Sequence, residues 1–443
     1  MTTETKDSGV KWIGTVPADW EINKIKYIAT LKGRIGWQGL TSDEYTDEGA
    51  YLITGVDFEN GGINWDSCVH VPMRRWEEAR DIQIEDGDLL ITKDGTIGKV
   101  AIVSGCTAPT SLNSGVLRIS TIDGYDRRFL YWVLQSDVFW TWFADKNAGN
   151  STIQHLYQGD FAEFKYAIPP IDEQRAIAGF LDTECAKIDS IIDDLEKQIE
   201  VLQKYKKSLI TETVTKGLDK SIPMNDSGIA WMGKIPQHWE TKRLKYLGQA
   251  RNGLTYEPEC ISSESDGILV LRSSNIQDDA LDLEDSVYVN CKVPKEIILQ
   301  LNDILLCSRN GSRNLIGKCI LIDDRTVGET YGAFMCVFRS PHNRFLHYVF
   351  LSEIFSYYLS TFLTSTVNQL TNFNLYNMVV PITYDHDEQD EIVAFLDEKC
   401  QRIDSIIEDK IAQLNKIQHH KESLIYEYVT GKKRVKEVTS YAD

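Results

Sequence analysis

The sequence predicts an α+β protein built from two tandem, pseudo-repeated α/β globules, separated by two long helices that form an antiparallel coiled coil. Three observations support this prediction. The segment from Asp7 to Glu21 recurs from Asp226 to Glu240, so the chain contains an internal repeat. A second repeated block has the apolar spacing of a heptad seam. Between these blocks lie short β-branched runs punctuated by Gly, Asn and Asp, which are typical of strands and turns.

The repeat is dense in identities and sets the predicted boundaries. DSGVKWIGTVPADWE matches DSGIAWMGKIPQHWE, and EQRAIAGFLDTECAKIDSIIDD, from Glu173, matches EQDEIVAFLDEKCQRIDSIIED, from Glu388. Globules and helices therefore alternate. The predicted segments are a first globule at 1–167, a central helix at 168–222, a second globule at 223–380, a distal helix at 381–435 and a C-terminal tail at 436–443.

Both long helices are predicted from apolar residues that step by three and four. Pro-rich segments precede each helix, and Gly217 suits the end of the first one. The predicted seams run through Cys185, Ile188, Ile192, Leu195, Ile199, Leu202, Lys206 and Leu209 in the first copy, and through Cys400, Ile403, Ile407, Lys410, Leu414, Ile417, Lys421 and Leu424 in the second.

A long helix with one apolar stripe is not stable alone in water. We therefore expect each helix to pair with its copy in antiparallel orientation; the alternative is that each helix packs only on its own globule. Lys410 interrupts the second seam, and its pairing with an acidic residue of the facing helix, such as Asp194 or Glu196, is left open.

The globules are predicted as α+β because strand-like runs precede one helical stretch in each. YLITGVDF and GILVLRSSNI are strand-like, while DLLITKDGTIGKVAIV and DILLCSRNGSRNLIGKCILI are predicted hairpins. FLYWVLQSDVFWTWF and FLHYVFLSEIFSYYLSTFL are each predicted to form one buried helix.

The charge balance limits the possible partners. The 443 residues include 47 Lys and Arg against 66 Asp and Glu, a net charge of −19. This excludes a protein that coats nucleic acid through bulk positive charge, so a polyanion would have to meet a local basic surface. Residues 286–344 provide one, with eight basic and five acidic side chains.

The chain is expected to be cytoplasmic. Its N-terminus lacks the apolar core of a signal peptide, and no run of about 18 apolar residues predicts a membrane span. Nine cysteines are scattered without a CxxC spacing. We expect free thiols in a reducing compartment, with neither a disulfide framework nor a zinc site.

No catalytic or metal-binding residues are predicted. Gly95 to Gly98 and Gly311 to Gly317 superficially resemble phosphate-binding loops, but their spacing differs from a Walker motif, and hairpin turns are the favoured interpretation. HExxH, GxSxG and methyltransferase motifs are absent from the sequence. Asp385-His386-Asp387 is interpreted as the acidic start of a helix.

Polar loops at matched positions in both globules are the candidate contact surface. Arg and Asn are the side chains that read guanine and adenine edges in a major groove. The alternative for each loop alone is a solvated turn, but the loops recur in both copies. The predicted DNA-binding residues are Arg34, Trp37, Thr54, Lys93, Asp94, Thr96, Lys99, Thr152, Gln154 and His155 in the first copy, and Arg251, Tyr256, Arg272, Ser273, Asn275, Arg309, Asn310, Arg313, Lys318, Asn368 and Gln369 in the second.

These features together resemble the specificity subunit of type I restriction–modification enzymes over nearly the whole chain. The resemblance rests on the doubled DSGxxWxGxxPxxW opening, the GDLLITKDGTIGKVAIV hairpin, the PPIDEQRAIAGFLD segment and the Ile-Asp-Ser-Ile-Ile helix. The second hairpin departs from the pattern through an insertion, so its contacts are not transferable from the first.

The resemblance implies a division of labour. Each globule would be a target recognition domain for one half of a bipartite site in double-stranded DNA, while the helices would fix the spacing between half-sites. Two modification subunits would dock on this chain, bind S-adenosylmethionine and methylate adenine. Restriction subunits would add ATP-driven translocation and Mg-dependent cleavage, and this chain would bind no cofactor itself.

Two other readings remain at this point. A coiled-coil scaffold with two protein-binding heads, without DNA specificity, is favoured by the acidic charge. A standalone enzyme lacks a supporting motif. If the helices set the spacing, a heptad inserted after Leu202, matched by one after Ile417, should lengthen the spacer by about 3 bp.

Overall fold

The computed structural model describes residues 4–34, 40–148, 154–277, 280–363 and 368–435. It divides into two compact units. The first unit comprises Met1–Leu195 and Ala412–Asp443, and the second comprises Glu196–Ile411. Each unit thus combines one globule with parts of both long helices, and the five segments drawn from the sequence stay a prediction.

The helices of the described residues have the following bounds. They are α1 (Ile25–Ile28), α2 (Met73–Glu77), α3 (Arg127–Gln135), α4 (Asp137–Lys146), α5 (Gln158–Phe161), α6 (Ile171–Lys216), α7 (Asn343–Leu351), α8 (Glu353–Phe362), α9 (Asn372–Asn377) and α10 (His386–Val429).

The strands alternate with these helices in both units. In the first unit they are β1 (Thr5–Asp7), β2 (Thr15–Pro17), β3 (Glu21–Lys24), β4 (Ala29–Gly33), β5 (Ala50–Ile53), β6 (Phe58–Glu59), β7 (Gly62–Ile63), β8 (Val69–Val71), β9 (Leu89–Thr92), β10 (Val100–Ile102), β11 (Thr110–Leu112), β12 (Val116–Thr121) and β13 (Lys165–Ile168). In the second unit they are β14 (Met224–Asp226), β15 (Lys234–Pro236), β16 (Glu240–Arg243), β17 (Gln249–Asn252), β18 (Ile261–Ser262), β19 (Ile268–Leu271), β20 (Ile276–Gln277), β21 (Ala280–Leu281), β22 (Tyr288–Val289), β23 (Ile304–Cys307), β24 (Cys319–Leu321), β25 (Thr330–Tyr331), β26 (Met335–Arg339) and β27 (Val379–Ile382).

The main sheet of the first unit is antiparallel, with strand order β10-β9-β12-β4. A smaller sheet, β11-β5-β8, contains one parallel pair, β11 with β5. Strand β9 is buried on both faces: Leu89 and Ile91 point into the large core around Trp20 and Phe129, whereas Leu90 points into a second core with Ile53. The sheet is therefore the middle layer of this unit.

The second unit repeats this plan. Its main sheet has the order β17-β26-β23-β24, in which all pairs are antiparallel. Ile304 and Leu306 of β23 point into the core shared with α7, α8 and the long helices, while Leu305 and Cys307 point into the opposite core. Both predicted hairpins, β9–β10 and β23–β24, are confirmed.

The two long helices pair in antiparallel orientation, as predicted. In the second unit, Lys206 Nζ lies 2.8 Å from the Asp404 carboxylate, and Lys410 Nζ donates to Gln198 Oε1 at 2.5 Å. Residue numbers thus fall on one helix as they rise on the other. Gln198 is therefore the hydrogen-bond partner of Lys410, in place of the acidic partner considered from the sequence.

The predicted seam is the buried stripe of both helices. All sixteen seam residues are buried or half-buried, including Cys185 and Cys400. In the first unit, Lys421 Nζ lies 2.5 Å from Asp189 Oδ1, so this interruption of the seam also finds a carboxylate on the facing helix. The lysines keep the apolar stripe continuous through their aliphatic stems.

The repeated opening is attached to the first turn of each long helix by a tryptophan. Trp20 Nε1 donates to Glu173 Oε2 at 3.1 Å in the first unit, and Trp239 Nε1 donates to Glu388 at 3.0 Å in the second. Arg434 adds a charged bond to Glu173 at 2.6 Å. Helix α6 ends before Gly217, whose φ of +67° confirms the predicted C-terminal stop.

The prediction of one buried helix near the end of each sheet is wrong. The structure has two helices in each place, α3 and α4 in the first unit and α7 and α8 in the second. The chain breaks at Ser136 and Ser352, which have extended backbone angles. A serine followed by an acidic residue is a helix N-terminus signature that could have revealed this break.

Gly179 offers a test of helix stability within the repeat. It is exposed in α6 with open space around it, and the matching residue of α10 is Ala394, also exposed. Gly179→Ala should stabilise the first unit by about 1 kcal/mol, because glycine is the poorer helix former. Ala394→Gly should destabilise the second unit by a similar amount. Urea unfolding measures both, and shifts of the same sign would contradict the prediction.

His347 makes the stability of the second unit depend on pH. Its Nε2 is buried in α7 without a hydrogen-bond partner, and burial lowers the pKa of the imidazole to about 4. The unfolded chain therefore binds this proton more readily. The stabilising contribution is complete above about pH 6.5 and is lost as pH falls towards 4.

We expect wild type to lose about 1–2 kcal/mol more unfolding free energy than His347→Phe between pH 7 and pH 5. The measurement is urea unfolding at both pH values. His419→Phe, which alters a histidine whose side chain is 88% exposed, is the matched control and should follow wild type. Parallel pH curves for wild type and His347→Phe would show that the imidazole does not titrate as argued.

Candidate nucleic-acid interface

The polar loops of the first unit meet at one end of its main sheet. Thr96 Oγ1 donates to the carbonyl of Gly55 at 3.4 Å, which joins the β9–β10 hairpin to the turn after β5. His155 Nδ1 lies 2.7 Å from Asp94 Oδ1, and the Leu156 amide donates to the Lys93 carbonyl at 3.0 Å. Three of the four predicted segments are therefore brought together around the tip of this hairpin.

A buried carboxylate holds the turn that begins at Thr54. Asp57 is fully buried and accepts hydrogen bonds from the Thr54 amide at 2.7 Å, from Thr54 Oγ1 at 2.9 Å and from Ser67 Oγ at 2.8 Å. In the second unit Asn275 takes this position, and its side-chain oxygen accepts from the Arg272 amide at 2.9 Å. The same turn is thus built twice, with Thr54 as its first residue in one unit and Arg272 in the other.

The loops of the second unit converge in the equivalent way. Arg309 forms a backbone bridge with Gln369, and Asn310 Nδ2 donates to Ser273 Oγ at 3.0 Å. Asn368 Nδ2 donates to the Gly311 carbonyl at 3.2 Å. We call these two clusters the reading loops: residues 54–57, 92–99 and 154–156 in the first unit, and 272–275, 307–318 and 368–370 in the second.

An open cavity of about 650 Å³ lies beside the second reading loops. Its walls include Tyr256, Arg272, Ser273 and Phe334. Arg272 Nη2 lies 2.8 Å from Asp285 Oδ2, whose side chain is 73% exposed. The cavity therefore offers aromatic surface, hydroxyls and both charge signs to the edge of a base.

Several predicted residues instead support the loops from within. Arg34 is only 5% exposed; its guanidinium donates to the Leu112 carbonyl at 2.7 Å and to Ser111 Oγ at 2.9 Å. Burial lowers its pKa to about 10. Asn275 is fully buried, and Arg313 donates to the Leu363 carbonyl at 2.7 Å. The structure does not present Arg34 or Asn275 to a groove.

The remaining predicted residues divide by exposure. Lys99, Gln154, Arg251 and Arg309 are exposed, and Lys318 is half-buried. Trp37 and Thr152 lie outside the described residues. Direct contact with bases stays a prediction for all of them.

The prediction of polar loop residues did not include two exposed apolar side chains. Val56 is 77% exposed beside Thr54, and Phe334 is 59% exposed beside Arg309. It also missed Asp285, the partner of Arg272. For Val56 the usable signal was an apolar residue inside the polar segment TGVDFEN, whereas Phe334 lies in the largely apolar segment YGAFMC and gave no such signal.

Neither a metal-binding cluster nor a membrane-spanning helix occurs in the described ranges. Within them, no group of three or more His, Cys, Asp or Glu side chains is arranged to hold a metal ion. The nine cysteines all fall in these ranges and are free thiols. No helix in the described part of the chain has the length and apolar character needed to cross a membrane.

The chain belongs to the family of type I restriction modification DNA specificity domains. The model of this family matches twice, at residues 17–201 and 236–416, which together cover most of the chain. Each match contains one set of reading loops and part of a long helix. The family match favours DNA target recognition over the scaffold considered from the sequence.

Two relatives show how far the similarity extends. The type I restriction enzyme MjaVIII specificity subunit of Methanocaldococcus jannaschii is 27% identical over 440 residues, covering 95% of this chain and 94% of that protein. The type I restriction enzyme EcoKI specificity subunit of Escherichia coli K12 is 25% identical over 322 residues, covering 70% of this chain and 65% of that protein.

The fold is also found in a solved structure. A chain from a study of complex assembly and conformational transition of the type I R-M system aligns with a TM-score of 0.69. The alignment covers 94% of this chain and 99% of that chain, at 14% sequence identity. It shows that the two chains share a fold.

Proposed function

We propose that this chain is the DNA-recognition subunit of a type I restriction–modification enzyme and that each unit reads one half of a bipartite target. The long helices set the spacer and dock two modification subunits. Those subunits bind S-adenosylmethionine, and restriction subunits bring ATP and Mg chemistry. This chain has the recognition role, works in the cytoplasm and leaves catalysis to its partners.

One observation carries the proposal: the same loop framework is built twice with different outward chemistry. The turn held by Asp57 begins with Thr54 and carries the exposed Val56, whereas the turn held by Asn275 begins with Arg272, which is paired with the exposed Asp285. The first hairpin tip has an Asp94–His155 pair, whereas the second has an exposed Arg309. A common frame with different polar tips is suited to reading two different base sequences.

The acidic charge agrees with a recognition role inside a complex. A net charge of −19 opposes binding to the DNA backbone, which supplies most non-specific affinity. Base contacts specify sequence, while phosphate contacts position the protein. We therefore propose that the partner subunits supply many of the contacts to the DNA phosphates and that the isolated chain binds DNA weakly.

Modified-base sequencing tests the proposal directly. The chain is expressed with its modification partner in cells lacking other methyltransferases, and the genome is sequenced for methyladenine. A split motif with an undefined spacer is the expected result. An active partner that methylates without a split motif would refute the proposal.

Arg309→Ala tests base reading by the second unit. Arg309 is exposed, and if its guanidinium contacts a base edge, its loss should cost about 1–3 kcal/mol of binding and relax one position of one half-site. The measurement is competition binding of the assembled complex to a library of target variants. Equal loss on all sequences would mean a phosphate contact instead.

The matched control for Arg309→Ala is Arg325→Ala. Arg325 is exposed and paired with Asp323, beyond the end of β24 that is opposite to the reading loop. This variant should leave both affinity and sequence preference unchanged. The comparison separates a local base contact from a general effect of removing one positive charge.

A heptad insertion tests whether the helices set the spacer. Leu202 lies midway between Gln198 and Lys206, whose partners are Lys410 and Asp404, so it faces Ile407. The matching insertion therefore belongs after Ile407, and the Ile417 site expected from the sequence is out of register. Paired insertions should lengthen the spacer by about 3 bp, because seven helical residues add about 10 Å.

Modified-base sequencing of cells carrying the paired insertion reads the spacer. An insertion in α6 alone should disrupt the seam and reduce methylation at all sites. An unchanged spacer in an active paired variant would contradict a spacing role for the helices.

A further inference from the structure

One exposed apolar side chain lies at each set of reading loops: Val56 within the first set, and Phe334 beside the second, hydrogen-bonded to Ser308 and Arg309 through its carbonyl. Val56 in the first unit is 77% exposed, and Phe334 in the second is 59% exposed. Isolated apolar residues are common on protein surfaces and need no explanation by themselves. These two differ because each stands among polar groups proposed to face bases, on backbone that is held in place.

The backbone of Phe334 is part of the hydrogen-bonded frame of its loop. Its carbonyl accepts from the Ser308 and Arg309 amides, each at 3.0 Å, and from Ser308 Oγ at 2.9 Å. The Arg309 guanidinium lies 5.2 Å from the centre of the Phe334 ring. The ring also lines the 650 Å³ cavity with Arg272 and Ser273. The apolar surface is thus fixed next to hydrogen-bond donors.

The backbone around Val56 is also held in place by hydrogen bonds. It lies inside the turn whose two ends are joined by the buried Asp57, which accepts from both the amide and the hydroxyl of Thr54. The preceding carbonyl, of Gly55, accepts from Thr96 Oγ1. The isopropyl group therefore projects from a braced turn beside two hydroxyl groups.

The internal repeat shows that neither side chain is needed by the shared frame. The Lys93 amide donates to the Gly115 carbonyl just as the Ser308 amide donates to the Phe334 carbonyl, so Gly115 is the counterpart of Phe334. The counterpart of Val56 is Ser274, one residue before Asn275. Each unit places its apolar group where the other has none, as expected if the two read different positions of different half-sites.

Thymine is the base that offers an apolar group to such a side chain. In the major groove it alone among the four DNA bases presents a 5-methyl group, while the other features are hydrogen-bond donors and acceptors. We infer that Val56 and Phe334 each recognise the 5-methyl group of a thymine, one in each half-site. This inference rests on the proposed function and adds the chemistry of one contact in each unit.

Deoxyuridine in place of thymidine tests the inference, because it removes only the methyl group. With the motif known, duplexes carrying a single T→dU change at each thymine of both strands are bound to the assembled modification complex. One position in each half-site should lose about fourfold in affinity, the worth of one buried methyl group. All other dU positions should bind like the parent duplex.

Two variants assign the contacts. Val56→Ser, which introduces the residue found at the matching place in the second unit, should abolish the dU effect in one half-site only. Phe334→Ala should abolish it in the other half-site only. Ile122→Ser and Leu301→Ala remove exposed apolar groups at the opposite ends of β12 and β23 and should keep both dU effects.

Four results would overturn the inference. One is a wild-type complex that shows no position-specific dU effect. A second is a dU effect that persists in Val56→Ser and Phe334→Ala. A third is a loss of affinity in these variants that is equal for duplexes with thymidine and with deoxyuridine, as expected if the side chain inserted between bases. The last is a half-site without an A·T pair. Binding of the assembled complex to DNA without any sequence preference would instead refute the proposed function itself.

Discussion

The folded structure depends on burial of the apolar stripe that runs along each of the two long helices, α6 and α10. Neither α6 nor α10 buries that stripe on its own globule alone, and in each unit the two helices cover one another. Lys206 with Asp404, and Lys421 with Asp189, place charges at the interruptions of the seam without leaving them unpaired. Within each unit, a tryptophan–glutamate hydrogen bond attaches the globule to the first turn of its long helix.

The sequence predicted those parts of the fold that depend on periodicity. A heptad pattern identifies the buried side of a helix because position along the helix determines direction. The two hairpins were predicted from β-branched apolar runs on either side of turns that contain Gly, Asn or Asp. The breaks at Ser136 and Ser352 escaped prediction because the apolar pattern continues across them, and only the capping serine marks the change.

The candidate site was predicted at the level of segments but less well at the level of side chains. Matched polar segments indicated which loops converge. They did not show that Arg34 turns inward to carbonyl and hydroxyl acceptors while Arg309 stays exposed, because both are arginines in polar turns. Direction in a loop depends on tertiary acceptors, such as the Leu112 carbonyl, that lie far away in sequence. The exposed Val56 and Phe334 were overlooked because apolar residues are normally assigned to a core.

The two-sided burial of the hairpin strands explains how one frame carries two specificities. Strands β9 and β23 contribute to a core on each face, so polar substitution within them would cost several kcal/mol of stability. The two strands accordingly have the sequences LLIT and ILLC, in which Thr92 is the one hydroxyl-bearing residue and its hydroxyl donates to the Thr96 carbonyl. Beyond the strand ends this restriction disappears, because the side chains face water and only a few buried anchors, Asp57 or Asn275, are needed to hold the turn. Substitution therefore costs the least stability at the positions that would contact DNA.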